Sequence, residues 1–266
     1  MGADTKSLRN RIRSVDSTLH LTKAMGLVAS SKMRRANAGM TRSREYSAAM
    51  EEVVDVLRSS PECVRTPYMA PKGGETCLIV IAGDRGLAGG YNANIFRLAA
   101  TLEYDRVIAI GKRSCERFGK AFLSSEHFTA QDAEKIANEV CNDFLAGKIS
   151  KLGILYTTYR SMLSQEATVK WVLPLEKAEA GTQAGPMFEP DEQTVLTGAV
   201  PTYVAGVLSA CVKESYACEV AARRMAMDSA GKNAQEMIDQ LQLQYNRARQ
   251  NSITQEITEI VAGSGL

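Results

Sequence analysis

The first 58 residues contain no proline, and apolar or small residues recur through them on an alternating step of four and three. The series runs Leu8, Ile12, Val15, Leu19, Thr22, Gly26, Ala29, Met33, Ala36, Met40, Ser43, Ser47, Met50, Val54 and Leu57. A 3.5-residue period held this long demands a partner helix, wound with it into a left-handed supercoil. At a rise of 1.5 Å per residue the predicted helix is about 80 Å long, more than a globular domain of this mass needs. Ser60-Pro61 closes it, because the residue before a proline is pushed out of the helical region.

The partner lies at the other end of the chain. Val204, Leu208, Cys211, Ser215, Cys218, Ala222, Met225 and Ser229 keep the same rhythm. It shifts near Gly231 and resumes through Ala234, Ile238 or Met237, Leu241, Tyr245 and Ala248. Such a slip changes the local winding of a coiled coil. Asp191 suits the cap of a short preceding helix, and Pro201 a first turn or a kink. Gly263 and Gly265 end the run. Many seam positions are small, which lets two backbones approach closely. The pattern reads as a slim shaft that fits inside something, or as a hairpin with a modest core.

The sequence between the helices is of another kind. Cys77–Ala82, Arg106–Ile110 and Leu152–Thr157 are short apolar runs typical of buried parallel strands. Ala88–Leu102 and Ala130–Leu145 carry helical periodicity between them, and Val169–Leu173 reads as one more strand, at an edge. The expected fold is α/β: a long antiparallel coiled coil from both termini, residues 1–60 and 192–266, with an inserted Rossmann-like domain over 75–175. Residues 176–191, with Gly181, Gly185, Pro186 and Pro190, read as a linker.

Charge is distributed unevenly. Residues 1–44 hold ten Lys or Arg against two Asp or Glu, whereas 59–200 hold 15 against 17 and 201–266 hold 6 against 7. The basic segment therefore expects an acidic partner: nucleic acid, an anionic membrane or an acidic protein surface. Arg9, Arg11, Arg13, Lys23, Lys32, Arg34, Arg35, Arg42 and Arg44 carry it, with no aromatic residue among them before Tyr46 and no nucleic-acid reader module. A solvated helix face or an acidic protein collar would use the same charges.

With 45% hydrophobic residues the chain is not disordered. Its longest apolar stretches, such as Cys77–Ala82, fall far short of the roughly 20 residues that span a bilayer, so no transmembrane segment is expected. Residues 1–15 show no secretory signal. The six cysteines form no CxxC pair, and only His20 and His127 could join them in a metal site. In apolar settings the cysteines read as small buried hydrophobes in a reducing compartment.

The one motif that invites a catalytic reading is Gly83-Asp-Arg-Gly-Leu-Ala-Gly-Gly-Tyr-Asn92, which follows a strand and opens a helix. Phosphates bind at such places, on free N–H groups at a helix N-terminus. Yet the glycines stand at 83, 86, 89 and 90, which is no GxGxxG, and the Lys-Ser/Thr of a P-loop is missing. The plainer reading is a tight turn in which Gly89 and Gly90 allow close packing, Asp84 and Arg85 pair or cap it, and Trp171 is an ordinary half-buried strand residue. No nucleophile motif is present. The residues favour a mechanical or scaffolding protein. The alternative is a nucleotide- or phosphate-binding α/β enzyme with a coiled-coil dimerisation arm.

Several segments resemble the gamma subunit family of F-type ATP synthases. They are Leu8-Arg-Asn-Arg-Ile-Arg-Ser-Val15, Thr22-Lys-Ala-Met25, Val28-Ala-Ser-Ser-Lys-Met33 and the Gly83–Asn92 turn. Ala222-Arg-Arg-Met-Ala-Met227, Leu241–Gln250 and Ile253–Val261 complete the set, in order along the whole chain. The resemblance implies a non-catalytic rotor shaft without cofactor or metal. Its implied partners are the alpha and beta subunits of the catalytic ring, the epsilon subunit and the membrane c-ring, and not nucleic acid. Proton flow through the c-ring would turn the shaft and drive each beta subunit through its states. Lys23, Met25, Arg223, Gln250 and Thr254 match rotor–stator contact positions, and Ile257, Ile260 and Val261 the apolar tip in the upper bearing.

Gly26 departs from the family, where a bulkier or charged residue is usual; a mid-helix glycine costs about 1 kcal/mol relative to alanine. The central domain is also short between Leu102 and Gly153, and the cysteine-pair insertion of the chloroplast form is missing. A start at the first helix points to a bacterial chain, peripheral on the cytoplasmic face of the cell membrane. The matrix side of the mitochondrial inner membrane is the alternative.

Overall fold

The computed structural model describes residues 2–177 and 188–263. Most of the expected linker, including Gly181, Gly185 and Pro186, lies outside them. Helix α1 spans Gly2–Ser59, and a final helix, α5, spans Glu192–Gly263. Asp191 caps α5 directly, accepting from the Thr194 N–H at 2.8 Å and its hydroxyl at 2.7 Å. Among the described residues no separate short helix precedes it, and Pro201 lies inside α5. All fifteen predicted seam residues of α1 are buried or half-buried.

The chain divides into two compact units. The smaller holds residues 1–30 and 223–266, and its described residues all belong to the ends of the two helices. They pair antiparallel: the Arg9 guanidinium donates to the Tyr245 hydroxyl at 2.7 Å, Leu19 clusters with Ala234 and Ile238, and Gly26 faces Met227. The α5 seam departs from expectation here. Met227 is buried and Ser229 exposed, and Ile238, not Met237, turns inward. The phase shift thus falls before Met227, a turn earlier than the pull of Gly231 suggested.

The larger unit, residues 31–222, contains the middle of both helices and the inserted sheet. Its strands are β1 (Glu75–Ile81), β2 (Arg106–Ile110), β3 (Ile149–Tyr159) and β4 (Gln165–Leu173), in the order β2-β1-β3-β4. β1 runs parallel to β2 and β3; β4 closes a hairpin antiparallel to β3. Helices α2 (Tyr91–Ala99), α3 (Lys112–Phe118) and α4 (Ala130–Leu145) complete it, the last opened by a Thr129/Asp132 capping box.

Both sheet faces are covered, which explains the unbroken apolar run of β1. Leu78 and Val80 pack with Ile95 and Ala99 of α2. Cys77, Ile79 and Ile81 pack in the cluster that holds Ile136 and Val140 of α4 and Val204, Leu208 and Val212 of α5. Val54 and Leu57 of α1 close this core. Full burial of one such aliphatic side chain contributes roughly 1.5–3 kcal/mol. All six cysteines are free and buried, and burial pushes the Cys77 thiol up to about 11 and Cys211 up to about 12.

A window of α5 with mean hydropathy 1.7 is, by length and composition, apolar enough to cross a membrane. It is 61% buried within the protein, where the sheet rather than lipid covers the helix.

Candidate functional site

In open α/β sheets, ligands bind beyond the carboxyl ends of the strands, where neighbouring connections leave in opposite directions. In this sheet that place lies between the ends of β1 and β3, and the Gly83–Asn92 turn stands over it. The crevice is filled by α5. The Tyr91 hydroxyl donates to the Ser215 carbonyl at 3.0 Å, the Thr157 N–H to the Ser215 hydroxyl at 3.2 Å, and the Cys218 thiol to the Thr157 carbonyl at 3.4 Å. The Glu219 carboxylate lies against Gly83, its Cδ 2.8 Å from where a Cβ would stand. Close approach thus occurs at Gly83, whereas a Cβ at Gly90 would meet only the Asn94 side chain, at 3.7 Å. Gly89 serves the turn through its φ of 56°, and Leu87 shares that left-handed region at 59°.

The turn's polar groups are also engaged. The Gly83 N–H donates to the Asn92 side-chain carbonyl at 2.9 Å. Asp84 accepts from the Lys112 N–H at 2.9 Å, the Ser124 hydroxyl at 2.6 Å, and the N–H groups of Ser125 and Glu126 at 3.2 and 3.0 Å. Burial works to raise the Asp84 pKa, but these donors outweigh it and hold the carboxyl below its ordinary range. Asp84 therefore caps α3 and secures the 124–126 turn, while Arg85 reaches Glu126 instead, at 3.8 Å. A phosphate would meet two carboxylates here rather than a cradle of open N–H groups.

Two further carboxylates bind the sheet to both helices. Glu214 of α5 takes a two-pronged bond from Arg44 of α1, at 2.6 and 3.2 Å, and accepts from the Tyr159 N–H at the end of β3, at 2.7 Å. Its hydrogen bond to Glu214 raises the Arg44 pKa. Glu126 pairs with Lys32 of α1 and accepts from the Tyr216 hydroxyl of α5 at 3.1 Å. Burial opposes ionisation of Glu126, yet Lys32, Tyr216 and Arg85 hold its pKa low. Neither cluster was visible in the sequence, where Arg44 and Glu214 stand 170 residues apart.

The basic face is thus partly spent within the chain: Arg9, Lys32 and Arg44 have internal partners, while Arg11, Arg13, Lys23, Arg34 and Arg35 are exposed. Lys23 lines an open groove with Arg224, Met227, Asp228 and Gly231. Met25 and Arg223 are half-buried. Gln250 and Thr254 are exposed one turn apart on α5, the Thr254 hydroxyl donating to the Gln250 carbonyl at 3.0 Å. Beyond them Ile257, Ile260 and Val261 are 56%, 70% and 65% exposed. Trp171, expected half-buried, is exposed on edge strand β4, with the Lys151 ammonium 3.8 Å from its ring centre.

Residues 4–265 match the family model described as ATP synthase. The chain is similar to the ATP synthase gamma chain of Ruminococcus albus, 39% identical over 280 residues that cover 98% of each chain. It is also similar to that of Alkaliphilus metalliredigens, 38% identical with 99% of each covered. Among solved structures it is similar to a chain of the Euglena gracilis mitochondrial ATP synthase rotor, with TM-score 0.66 and 16% identity over 95% of this chain and 100% of that one. A chain of the Tetrahymena thermophila mitochondrial ATP synthase central stalk and c-ring matches at TM-score 0.61 and 20% identity, covering 79% of this chain and 99% of that one. These last two likenesses concern the fold.

Proposed function

This chain belongs to the ATP synthase gamma-chain family, and on that footing we propose that it is the central rotor shaft of the membrane-associated enzyme complex. It is a non-catalytic subunit. Proton flow through the c-ring turns it, and its changing orientation drives the beta subunits in sequence through their catalytic states. Coupling of this kind is rigid-body rotation with contacts that differ in each orientation. The alpha and beta subunits surround the helix pair, 1–60 and 192–266; the epsilon subunit and c-ring join the inserted domain, 75–175, which residues 176–191 link back to α5. Bacterial relatives at this identity favour the cytoplasmic face of the cell membrane.

The observation that carries this reading is the coverage: the family match runs from residue 4 to residue 265 and takes in both helices and the sheet. The filled crevice at the ends of β1 and β3 favours it over a nucleotide-binding enzyme. In the same reading Lys23, Met25, Arg223, Gln250 and Thr254 meet the beta subunits, and Ile257, Ile260 and Val261 turn in an apolar bearing. Exposed apolar residues at a helix end suit a surface that a partner covers. Affinity purification of the native complex tests the assignment: alpha, beta and epsilon subunits accompany the chain, and recovery of the chain alone or as a homodimer would count against it.

A further inference from the structure

We infer that Glu126 and Glu214 are positioning residues for energy coupling, two directional ties that carry twisting load between the inserted sheet and the helix pair; the inference rests on the rotor reading. The other contacts between these parts are mostly apolar, and the polar ones each join the domain to one helix: Tyr91 and Thr157 meet Ser215 of α5, Lys213 of α5 meets the Phe128 carbonyl, and Lys170 of β4 pairs with Glu51 of α1. Ala36, Met40 and Ala217 cluster beside Tyr159, and Ala88, Tyr91 and Cys218 form a second cluster. Apolar contact is non-directional; it opposes separation far better than sliding or twisting. A charge-assisted hydrogen bond fixes both distance and direction.

The two carboxylates have the same construction. Each gathers one cation from α1, one group from α5 and one from the inserted domain. Glu214 is itself the α5 member; it holds Arg44 and the Tyr159 N–H, and Arg44 closes a ring by donating to the Tyr159 carbonyl at 3.3 Å. Glu126 is the inserted-domain member, on the turn secured by Asp84; it holds Lys32, Tyr216 and Arg85. Glu214 is 6% exposed although the Arg44 side chain is 44% exposed, so water screens this tie on one side only. Lys32 and Arg44 stand twelve residues apart on α1, which is about 18 Å of helix. One tie alone would act as a pivot, whereas two at that separation resist rotation of the sheet about the helices.

The test uses the whole complex in inverted membrane vesicles, measuring protons pumped per ATP hydrolysed alongside ATP turnover. Glu214→Gln keeps an acceptor for the Tyr159 N–H and loses only the charge facing Arg44; Glu126→Gln does the same toward Lys32. Each single change is expected to lower the pumping ratio about twofold while turnover is retained, and the double change to lower it further than either. Ile154→Val, a core truncation remote from both ties, lowers the melting temperature without moving the ratio. A wild-type ratio in both single variants overturns the inference, and so does an equal loss in Ile154→Val, which would reduce the ties to ordinary stability. A wild-type complex that hydrolyses ATP but pumps no protons would instead remove the rotor reading itself.

Discussion

Gly111 presses its backbone so closely on the carbonyl of Ala82 that a Cβ would stand 1.9 Å from the oxygen. Its φ is 89°, a region that side chains rarely adopt. The contact lets β1 and β2 finish side by side, with the Ala82 N–H donating to the Ile110 carbonyl at 2.9 Å. Gly111→Ala therefore combines backbone strain with a clash that no rotamer relieves. The expected cost is about 3 kcal/mol or more, read as a large fall in melting temperature of the purified chain. Gly86→Ala is the contrast. There a Cβ meets only the end of the Arg113 side chain at 3.4 Å, and the expected change stays within roughly 0.5 kcal/mol.

Gly26 is a different case. A Cβ there meets the Cβ of Met227 at 3.7 Å, ordinary contact distance, and the residue sits within α1. Gly26→Ala is expected to stabilise the helix by about 1 kcal/mol. Urea unfolding followed by circular dichroism would show the midpoint rising; a fall would mean that the helices need the glycine for their spacing.

The Gly83–Asn92 turn is expected to bind no nucleotide. The Gly83 N–H is engaged by Asn92, and the Asp84 and Glu219 carboxylates stand where phosphate oxygens would have to sit. Titration calorimetry with ATP and ADP on the purified chain checks this. A stoichiometric micromolar site abolished by changing Gly86 would restore the enzyme reading.

The helix pair was legible because a 3.5-residue period is a local signal repeated along the chain, so errors at single positions average out. β1, β2 and β3 were legible as apolar runs because both faces of the sheet are covered. Helix α3 escaped notice: it has seven residues, of which only Ser114 and Cys115 are buried, too few to set a period. The seam of α5 was misplaced at Ser229, and Ile238 could not be told from Met237, because several neighbouring residues were equally small or apolar. Asp84 looked like a cap within its own turn, yet its partners Lys112, Ser124, Ser125 and Glu126 come from farther along the chain. Such pairings have no local signature, and the same holds for Arg44 with Glu214.

Asp84 also predicts an acid limb of stability. Its pKa in the folded chain lies below the ordinary 3.8, so the ionised form is favoured by folding. That contribution is fully present above the unfolded value and is lost as pH falls through the lower folded value. Glu126, held below its ordinary 4.5, adds a loss in the same direction. Between about pH 5 and pH 2 the wild-type chain is expected to lose stability more steeply than Asp84→Asn, which starts lower because its donors lose a charged acceptor. Parallel pH profiles of the two chains, measured by denaturant unfolding, would exclude Asp84 as the cause.

The rotor assignment makes its sharpest demand on the residues that face the stator. Arg223 lies half-buried on α5, and Gln250 projects from the same helix where side chains are mostly exposed. If each bonds a beta-subunit loop in only some orientations, removing it changes the relative energies of the rotary states rather than the fold. A hydrogen bond to a charged group contributes roughly 1.5–3 kcal/mol, so Arg223→Ala is expected to slow steady ATP turnover of the assembled complex about tenfold, with Gln250→Ala somewhat milder. Neither should shift the melting temperature by more than a few degrees, since neither side chain is in a buried cluster. Met25→Lys acts oppositely. If Met25 meets an acidic beta-subunit loop, as the rotor reading has it, the added cation over-stabilises one orientation and wastes coupling energy. The readout is proton pumping per ATP hydrolysed, expected to fall for Met25→Lys while hydrolysis continues. Ile257→Asp tests the tip: a charge placed in an apolar bearing should weaken retention of the shaft in the alpha–beta ring, seen as chain lost during purification. Normal pumping in Met25→Lys, normal turnover in the other two and full retention of Ile257→Asp would together dissociate these positions from the rotor–stator interface.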